Sequence, residues 1–588
     1  MKATLTSLLA ITLLCSCDSA KQSNGIQYPE TQKTDQSDTY FGTVVPDPYR
    51  WLENDTSRST EEWVVRQNAF TNSFLEAIPF RGQLRNRLES LVNYERFTAP
   101  VRAGSYYLYY RNNGLQNQDV IYIKSALNEM EEVFLDPNEF DKTGTTTMHM
   151  SGMSKDERFV AISVSKAGSD WRELVVFDIE KRKSTGDTLK WVKFSGASWS
   201  GDGFYYSRYP EPEKGSDYSA FNAYHSVYYH ALGQNQSLDK LVYKDEAHPE
   251  RYHSAYVSED GEFLFLYIAE GTDGFECHYT PLNSGDIEFR PLFTGFEHKS
   301  SVIDHSDGRF IVRTDIDAPN YKLVSLDPAM PQKEHWTTLL DEKDYLLQDV
   351  NTCGGYLFAR YLKQAMNVVY RYNYEGKDET EIILPGPGSA GGFNGRKKDS
   401  EAFYSFSSFT EPGTIFRYDI AQNQSSLYFR PDLVFNPDQF ESKQVFYPSK
   451  DGTRISMFIV HKKDLVLDGN NPLLLYGYGG FNISLTSGFN SSIIPWIECG
   501  GVYAVPNLRG GGEYGETWHR AGMLLNKQNV FDDFISAAEY LIDQKYTSSE
   551  KLVISGRSNG GLLVGAVMTQ RPDLMKVALP GVGVMDML

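Results

Sequence analysis

The chain has 588 residues, of which 40% are hydrophobic and 23% charged, and its net charge at pH 7 is −20. At about 150 residues per domain this length allows several domains, and the composition is that of a folded globular protein, which excludes a disordered chain. Only the first fourteen residues are apolar enough to enter a bilayer, and no run of basic residues offers nucleic acid a footprint. Polytopic membrane proteins and nucleic-acid-binding proteins are therefore excluded.

The first 27 residues indicate export. An apolar stretch from Leu5 to Leu14 follows a lysine, which is typical of a signal peptide. Residues 14–17 resemble the lipobox of bacterial lipoproteins, so we assign 1–17 to signal peptide and lipobox, Cys17 to lipidation and 18–27 to a tether. Ordinary signal-peptidase cleavage near Ala20 is the alternative. We expect an exported bacterial protein, either periplasmic or tethered to the membrane through the lipid.

The remaining cysteines and the histidines show no metal-binding or disulfide pattern. Cys277, Cys353 and Cys499 are widely spaced, and we expect three buried free thiols. His225 and His230 lie five residues apart in a strand-like run and are interpreted as structural. The sequence predicts no metal and no cofactor.

Helices are predicted early in the chain. Ser59 to Glu62 has the pattern of a capping box, and the sixteen residues that follow it have apolar residues at helical spacing.

Residues 99–437 contain a repeat. Each unit has a turn with Gly or Asp, an alternating aromatic run, a polar turn and a second β-rich run. The first strongly apolar residues of successive units are 53, 45, 59, 47, 47 and 46 residues apart. A period of about fifty fits a four-stranded propeller blade, so we predict a seven-bladed β-propeller, with a set of unrelated β-sandwiches as the alternative. The seven residues are Tyr106, Phe159, Phe204, Phe263, Phe310, Leu357 and Phe403.

From residue 438 to 588 strands alternate with helices. This pattern predicts an α/β domain built on a doubly wound, mostly parallel sheet. A helix over 529–542 places its apolar residues on one stripe, as expected of a helix that covers a sheet.

A nucleophile motif lies in this last domain. Gly556 to Gly560 reads G-x-S-x-G, after a strand and before a helix, the context in which Ser558 becomes an exposed nucleophile. Larger residues in place of the two glycines would collide with the backbone. The backbone N–H of Asn559, at the helix start, is then a donor to an oxyanion. The alternative is a glycine-rich helix start with a capping serine.

Two glycine-rich loops accompany the motif. Tyr476 to Phe481 follows a buried strand, at the place where hydrolases of this fold set a second oxyanion donor, and either tyrosine of this segment is as easily explained by packing. Residues 509–515 contain a formal GxGxxG, but Asp532, about twenty residues further on, falls inside a helix, which argues against a nucleotide site. We interpret these glycines as letting the loop pass close to the active site.

Several segments together resemble the prolyl oligopeptidase family, in a block order that spans nearly all of the chain from Tyr28. The resemblance implies a propeller that caps an α/β-hydrolase domain, with 28–98 as the N-terminal helical part of the hydrolase and 438–588 as its catalytic part, incomplete at its C-terminus. The segments are DPYRWLE at 47–53, YGYGGFNIS at 476–484, RGGGEYGETWH at 509–519, NKQNVFDDF at 526–534, SNGGLL at 558–563, RPDL at 571–574 and GVGVMDML at 581–588.

The resemblance also implies activity and site residues. It implies a serine endopeptidase that cleaves short peptides after proline through an acyl-enzyme, acting as a monomer without cofactor. Ser558 corresponds to the nucleophile, Tyr478 to the oxyanion phenol, Asn559 to the backbone oxyanion donor, and Phe481 and Val584 to walls of the proline pocket. Arg557 stands directly before Ser558 in the G-x-S-x-G turn, which we call the elbow. Members of the family commonly have glycine there, but the size of the side chain is not restricted at this position.

The triad acid and base are missing from the printed sequence. In this fold they follow the serine in chain order, but the last histidine, His519, precedes Ser558, and Asp586 lies in a block that does not supply the acid. We expect a longer protein with an Asp and then a His within about 130 further residues, and an inactive chain if it ends at Leu588. The alternatives are an oligopeptidase selecting basic residues and a lipoprotein that binds peptides without cleaving them.

Overall fold

The computed structural model describes residues 26–213 and 221–587. The predicted signal segment and Cys17 lie outside the described residues. None of the helices described is both long enough and apolar enough to cross a membrane. The chain divides into a unit that ends at Asn86 and a larger unit over Arg87–Met587.

The first unit contains a short hairpin and a long helix. Strands β1 (Ser37–Tyr40) and β2 (Thr43–Pro46) pair antiparallel, and α1 covers Arg58–Glu76. The predicted capping box is wrong by two residues: the N-cap is Ser57, whose Oγ accepts from the Thr60 N–H at 3.2 Å. Helix α2 (Arg81–Val92) follows.

Seven blades of antiparallel strands follow in the described part of the chain, and the strands of each blade pair in chain order, except that the first two strands of blade 1 both pair with its third. Blades 2 and 3 also share one pairing, Val192 with Arg208. Blade 1 contains β3 (Arg96–Phe97), β4 (Val101–Ala103), β5 (Tyr106–Asn112), β6 (Val120–Lys124) and β7 (Glu132–Leu135), followed by α3 (Pro137–Phe140). Blade 2 contains β8 (Thr147–Met153), β9 (Phe159–Ser165), β10 (Arg172–Asp178) and β11 (Lys183–Val192). Blade 3 contains β12 (Ser198–Ser200), β13 (Gly203–Arg208), β14 (Ser226–Ala231) and β15 (Lys240–Tyr243).

The last four blades have four strands each. Blade 4 contains β16 (Tyr252–Val257), β17 (Phe263–Ala269), β18 (Phe275–Pro281) and β19 (Arg290–Phe293). Blade 5 contains β20 (Ser301–Ser306), β21 (Arg309–Thr314), β22 (Lys322–Leu326) and β23 (Thr337–Leu340). Blade 6 contains β24 (Leu346–Cys353), β25 (Tyr356–Lys363), β26 (Met366–Tyr372) and β27 (Thr380–Ile382). Blade 7 contains β28 (Ser389–Gly392), β29 (Glu401–Ser407), β30 (Thr414–Asp419) and β31 (Gln424–Phe429).

Blades 1 and 7 meet through side chains. In the described residues their sheets share no strand. The Tyr107 hydroxyl donates at 2.5 Å to Glu401, and the rings of Phe97 and Phe429 lie 4.2 Å apart. We call this junction the seam.

The last domain is built on a six-stranded sheet in the order β32-β33-β35-β34-β36-β37. The pairs β34–β35, β34–β36 and β36–β37 are parallel, whereas β32 and β33 add an antiparallel edge. Buried residues of α6 and α7, such as Phe534 and Leu563, pack on the sheet around Leu475 and Ile554. The strands are β32 (Phe440–Pro448), β33 (Arg454–Lys462), β34 (Leu473–Tyr476), β35 (Val502–Pro506), β36 (Leu552–Arg557) and β37 (Val577–Gly581), and the helices are α4 (Ile494–Glu498), α5 (Gly515–Arg520), α6 (Gln528–Asp543) and α7 (Asn559–Gln570).

The cysteine prediction is partly wrong. Cys277 and Cys353 are buried free thiols, but Cys499 is exposed because it caps the C-terminal end of the short helix α4.

Both strand histidines are buried in the propeller. His225 contacts the Lys193 carbonyl at 2.9 Å, and His230 lies between two aspartates, with Nδ1 at 2.7 Å from Asp239.

Candidate active site

Ser558 stands on a sharp turn between β36 and α7. Its φ of 55° and ψ of −118° differ from the helix that follows, and its side chain is exposed. A Cβ on Gly556 would lie 2.3 Å from the Gly560 carbonyl oxygen, and one on Gly560 would lie 2.5 Å from that of Gly477. Only glycine fits at these two positions, so the turn has the sterics that the G-x-S-x-G pattern requires.

Asn559 is the first residue of α7 and is buried. Its backbone N–H has no acceptor within the helix, as for the first residues of any α-helix, and points with the helix dipole toward the start of the turn. Its side chain is fixed, because Nδ2 donates at 2.6 Å to the Tyr478 carbonyl. The elbow is thereby tied to the loop that follows β34.

The loop after β34 carries the two tyrosines of the sequence analysis. Tyr478 is half-buried. Burial raises the pKa of the neighbouring Tyr476 phenol; Tyr478 raises it further, and the positive charge of Arg557 opposes the rise. Gly479 has a φ of +62°, and a Cβ there would lie 2.3 Å from Val530 of α6. This loop therefore passes tightly between the elbow and α6.

Lys527, the residue before α6, is a further residue of the site, and it was not among the predicted site residues. Its Nζ donates at 2.8 Å to the Gly479 carbonyl and at 2.9 Å to Oδ1 of Asn559. Burial lowers the pKa of Lys527 to about 8. The signals in the sequence are its place in the segment NKQNVFDDF at 526–534 and a lysine at a helix start, where a positive charge is unfavourable.

A buried ion pair holds the second glycine-rich loop. Arg509 contacts Asp533 of α6, with Nη2 at 2.6 Å from Oδ1, and its Nη1 lies 2.5 Å from Asp451. The Gly510 carbonyl then accepts from the Asn482 N–H at 3.1 Å, which fixes this loop against the tyrosine loop. The acid that matters to the loop is therefore Asp533, not Asp532.

The two expected pocket residues face solvent. Phe481 and Val584 are each 54% exposed, and Phe481 has a φ of 54°. Phe481 follows the tyrosine loop directly, and Val584 lies just past β37. The structure buries neither side chain, so both are accessible to a ligand.

Ser558 has no hydrogen-bond partner for its hydroxyl among residues 26–213 and 221–587. His519 is buried, with Nδ1 at 2.8 Å from the Gly510 carbonyl oxygen. A cluster of Asp260, Glu262 and His305, far along the chain in the propeller, brings three ligand-type atoms within 4.8 Å, but Asp260 and His305 already contact each other at 2.6 Å. Among the described residues, the Ser558 hydroxyl therefore lies beside the Asn559 helix start with no histidine in hydrogen-bond contact with it.

Comparisons with known proteins agree with this architecture. Residues 28–431 match the family profile described as "Prolyl oligopeptidase, N-terminal beta-propeller domain", and residues 487–588 match that of the "Prolyl oligopeptidase family". A prolyl endopeptidase from Elizabethkingia miricola is 47% identical over 571 residues, covering 97% of this chain and 81% of the relative. One from Dictyostelium discoideum is 35% identical over 636 residues, covering 95% and 84%.

Solved structures of prolyl endopeptidases and oligopeptidases have the same overall fold as this chain. A structure from a study of two prolyl endopeptidases superimposes with a TM-score of 0.89 at 39% identity, covering 94% of this chain and 82% of the other. Prolyl oligopeptidase B from Galerina marginata, bound to a 25mer macrocyclization substrate, gives a TM-score of 0.90 at 32% identity, covering 95% and 83%. The predicted combination of β-propeller and α/β-hydrolase domain is confirmed, and the chain belongs to the prolyl oligopeptidase family of serine peptidases.

Proposed function

We propose that this protein is an endopeptidase that cleaves short peptides on the carboxyl side of proline. The observation that carries the proposal is the turn at Ser558, where an exposed serine precedes a helix in a backbone conformation that only neighbouring glycines permit. Relatives that share this architecture are named prolyl endopeptidases, which supports the specificity.

In the proposed reaction Ser558 Oγ attacks the carbonyl carbon of the prolyl bond. The hydroxyl proton passes to a general base, and the tetrahedral oxyanion accepts from the Asn559 N–H and the Tyr478 phenol. The protonated base then gives that proton to the leaving nitrogen, so collapse breaks the C–N bond, releases the amine and leaves an acyl-enzyme. Water then releases the peptide. Phe481 and Val584 offer apolar surface for the proline ring, which suits an uncharged side chain better than a basic one.

The general base and its acid are proposed to lie outside the 588 residues. The proposal follows from the chain order of this fold, in which the acid and the base come after the serine, and the described residues give the Ser558 hydroxyl no hydrogen-bond partner. Loss of a triad member leaves only about 10³–10⁴-fold catalysis over water. The 588-residue protein alone is therefore expected to be inert toward prolyl substrates.

Turnover of fluorogenic peptides tests the proposal. The 588-residue protein and the complete gene product are compared on peptides with proline or arginine before the reporter, with Ser558→Ala as the inactive form and Ser549→Ala as a control outside the site. Cleavage after proline by the complete protein, lost in Ser558→Ala only, supports the proposal. Preferred cleavage after arginine would indicate the basic-specific alternative. Peptide binding without turnover by the complete protein would indicate a binding protein.

Export and lipidation at Cys17 are proposed on the sequence pattern alone. Cys17→Ser is expected to abolish incorporation of labelled palmitate and to release the protein from membranes, since a lipid would be its anchor. Cys499→Ser is the matched control. A Cys17→Ser protein that stays on the membrane would contradict lipidation as the anchor.

A further inference from the structure

The ammonium group of Lys527 lies where three segments of the site meet. It donates to the Gly479 carbonyl and to Oδ1 of Asn559, at 2.8 and 2.9 Å. Nδ2 of the same Asn559 side chain donates at 2.6 Å to the Tyr478 carbonyl. One lysine thus closes a set of hydrogen bonds that joins the start of α6, the tyrosine loop and the first turn of α7.

The position is electrostatically unfavourable for a cation. Lys527 directly precedes α6, whose N-terminal dipole repels positive charge. Both of its acceptors are neutral oxygens, and no carboxylate in the described part of the chain forms an ion pair with it. A partly buried charge without a counter-ion is costly to keep in a fold, and the lowered pKa of Lys527 reflects that cost.

The same position is favourable for an anion that forms nearby. The carbonyls that Lys527 and Asn559 bind belong to Tyr478 and Gly479, so the lysine fixes the backbone on which the phenol is mounted. It also holds the Asn559 side chain, and so the residue whose N–H is the second oxyanion donor. Preorganised donors and fixed charges act where negative charge develops, and they act in the transition state more than in the ground state.

We propose that Lys527 is a positioning residue of the oxyanion hole, which sets Tyr478 and the Asn559 N–H relative to each other and adds a positive charge to the field at the oxyanion. The proposal rests on the proposed function of Ser558, Tyr478 and Asn559. Its consequence is that removal of the ammonium group lowers kcat and leaves KM nearly unchanged. A purely structural lysine would instead affect stability alone.

The test uses the complete gene product and three variants. Lys527→Met keeps the length of the side chain without charge or donors, Lys527→Arg keeps both, and Lys576→Met removes an exposed lysine that pairs at 2.7 Å with Glu550. For each, kcat and KM on a prolyl peptide are measured per folded site. Affinity is measured for a peptide ending in prolinal, whose aldehyde carbon bonds to Ser558 Oγ and places its oxygen in the hole, and for the matching prolinol, which forms no such adduct.

Losing a direct oxyanion donor costs about 10²–10³ in kcat, so an indirect residue is expected to cost about 10- to 100-fold. We expect this loss in Lys527→Met, with a matching fall in the ratio of prolinal to prolinol affinity, partial recovery in Lys527→Arg and no change in Lys576→Met. Unchanged kcat and an unchanged affinity ratio in Lys527→Met overturn this inference and leave the proposed function standing. If Lys527→Met does not fold, Lys527→Gln, a fourth variant without the charge, takes its place, and an unchanged kcat with an unchanged affinity ratio in Lys527→Gln overturns the inference. Absence of turnover in the unsubstituted protein overturns the proposed function, and this inference with it.

Discussion

The carboxyl group of Glu513 is buried in the glycine-rich loop beside the site. Oε1 accepts from the Leu485 N–H at 2.6 Å and from Asn507 Nδ2 at 3.3 Å, whereas Oε2 has no hydrogen-bond partner in the described part of the chain. Burial raises the pKa of Glu513 from 4.5 to about 7. The folded protein therefore holds a proton on Glu513 at pH values where the unfolded chain has released it.

We predict that Glu513→Gln stabilises the protein at pH 8 and not at pH 4. Between 4.5 and about 7 the folded state binds more protons than the unfolded state, so the free energy of unfolding falls as pH rises through this window. Glutamine does not ionise and avoids this loss, which is worth about 1–3 kcal/mol. Denaturant unfolding at both pH values measures the difference, and an equal effect at pH 4 and pH 8 would contradict the assignment.

At the scale of elements, the repeat predicted the propeller well. All seven apolar residues that open the repeat units lie in the strand that pairs with the first strand of their blade, from Tyr106 in β5 to Phe403 in β29. Helix α6, predicted over 529–542, covers Gln528–Asp543. Such elements are predictable because spacing and alternation are local properties of the sequence. The error at α1 is also local, since Ser57 and Ser59 are equally good capping residues by type.

The contacts that hold the site together were not predictable in this way. The carbonyl partner of Lys527 belongs to a residue 48 positions earlier and Arg509 pairs with an aspartate 24 positions later, so no periodicity reports them. The Ser558 turn was predictable because its glycines carry the steric requirement within a few positions of the serine. What a buried charge contacts depends on how the loops fold together, which sequence pattern alone does not specify.

Asp533 of helix α6 supplies a buried negative charge that pairs with Arg509 of the second glycine-rich loop. We predict that Asp533→Ala destabilises the protein by about 3–5 kcal/mol, because it leaves Arg509 buried without its main partner. The neighbouring Asp532 pairs at 3.6 Å with the exposed Lys450, so Asp532→Ala is the matched control and is expected to lose about 1 kcal/mol or less. Urea unfolding measures both. Similar losses in the two variants would show that the Arg509 pair does not hold the domain.

At the scale of the whole molecule, the seam joins the first and the last blade of the propeller through side chains, without a shared strand in the described residues. Glu401 is buried and accepts from Tyr107 across the seam, while Arg417 of its own blade also contacts it. Burial and this hydrogen bond raise the pKa of Tyr107 to about 12. The phenol of Tyr107 therefore stays neutral, and donates its proton to Glu401, in the pH range where proteins function.

We predict that Glu401→Ala weakens the seam and destabilises the propeller by about 1.5–3 kcal/mol, through loss of the charge-assisted hydrogen bond from Tyr107. Amide hydrogen exchange should accelerate first in β5 and β29, the strands that face each other there. Glu381→Ala, in the outer strand β27, is the control. Uniform acceleration over all seven blades would contradict a seam that opens by itself.

The backbone conformation at Ser558 is strained, and this strain lowers the thermal stability of the protein. At φ 55° and ψ −118°, any residue with a Cβ lies outside the favoured regions of backbone dihedral space. This strain reduces the free energy of unfolding by about 1–3 kcal/mol. Glycine adopts this conformation without that penalty, so a protein with Ser558→Gly should unfold at a higher temperature than one with Ser558→Ala, although neither has a nucleophile. The fold thus gives up resistance to heat at the residue that we propose as its nucleophile. Selection for thermal stability alone would be expected to remove that serine.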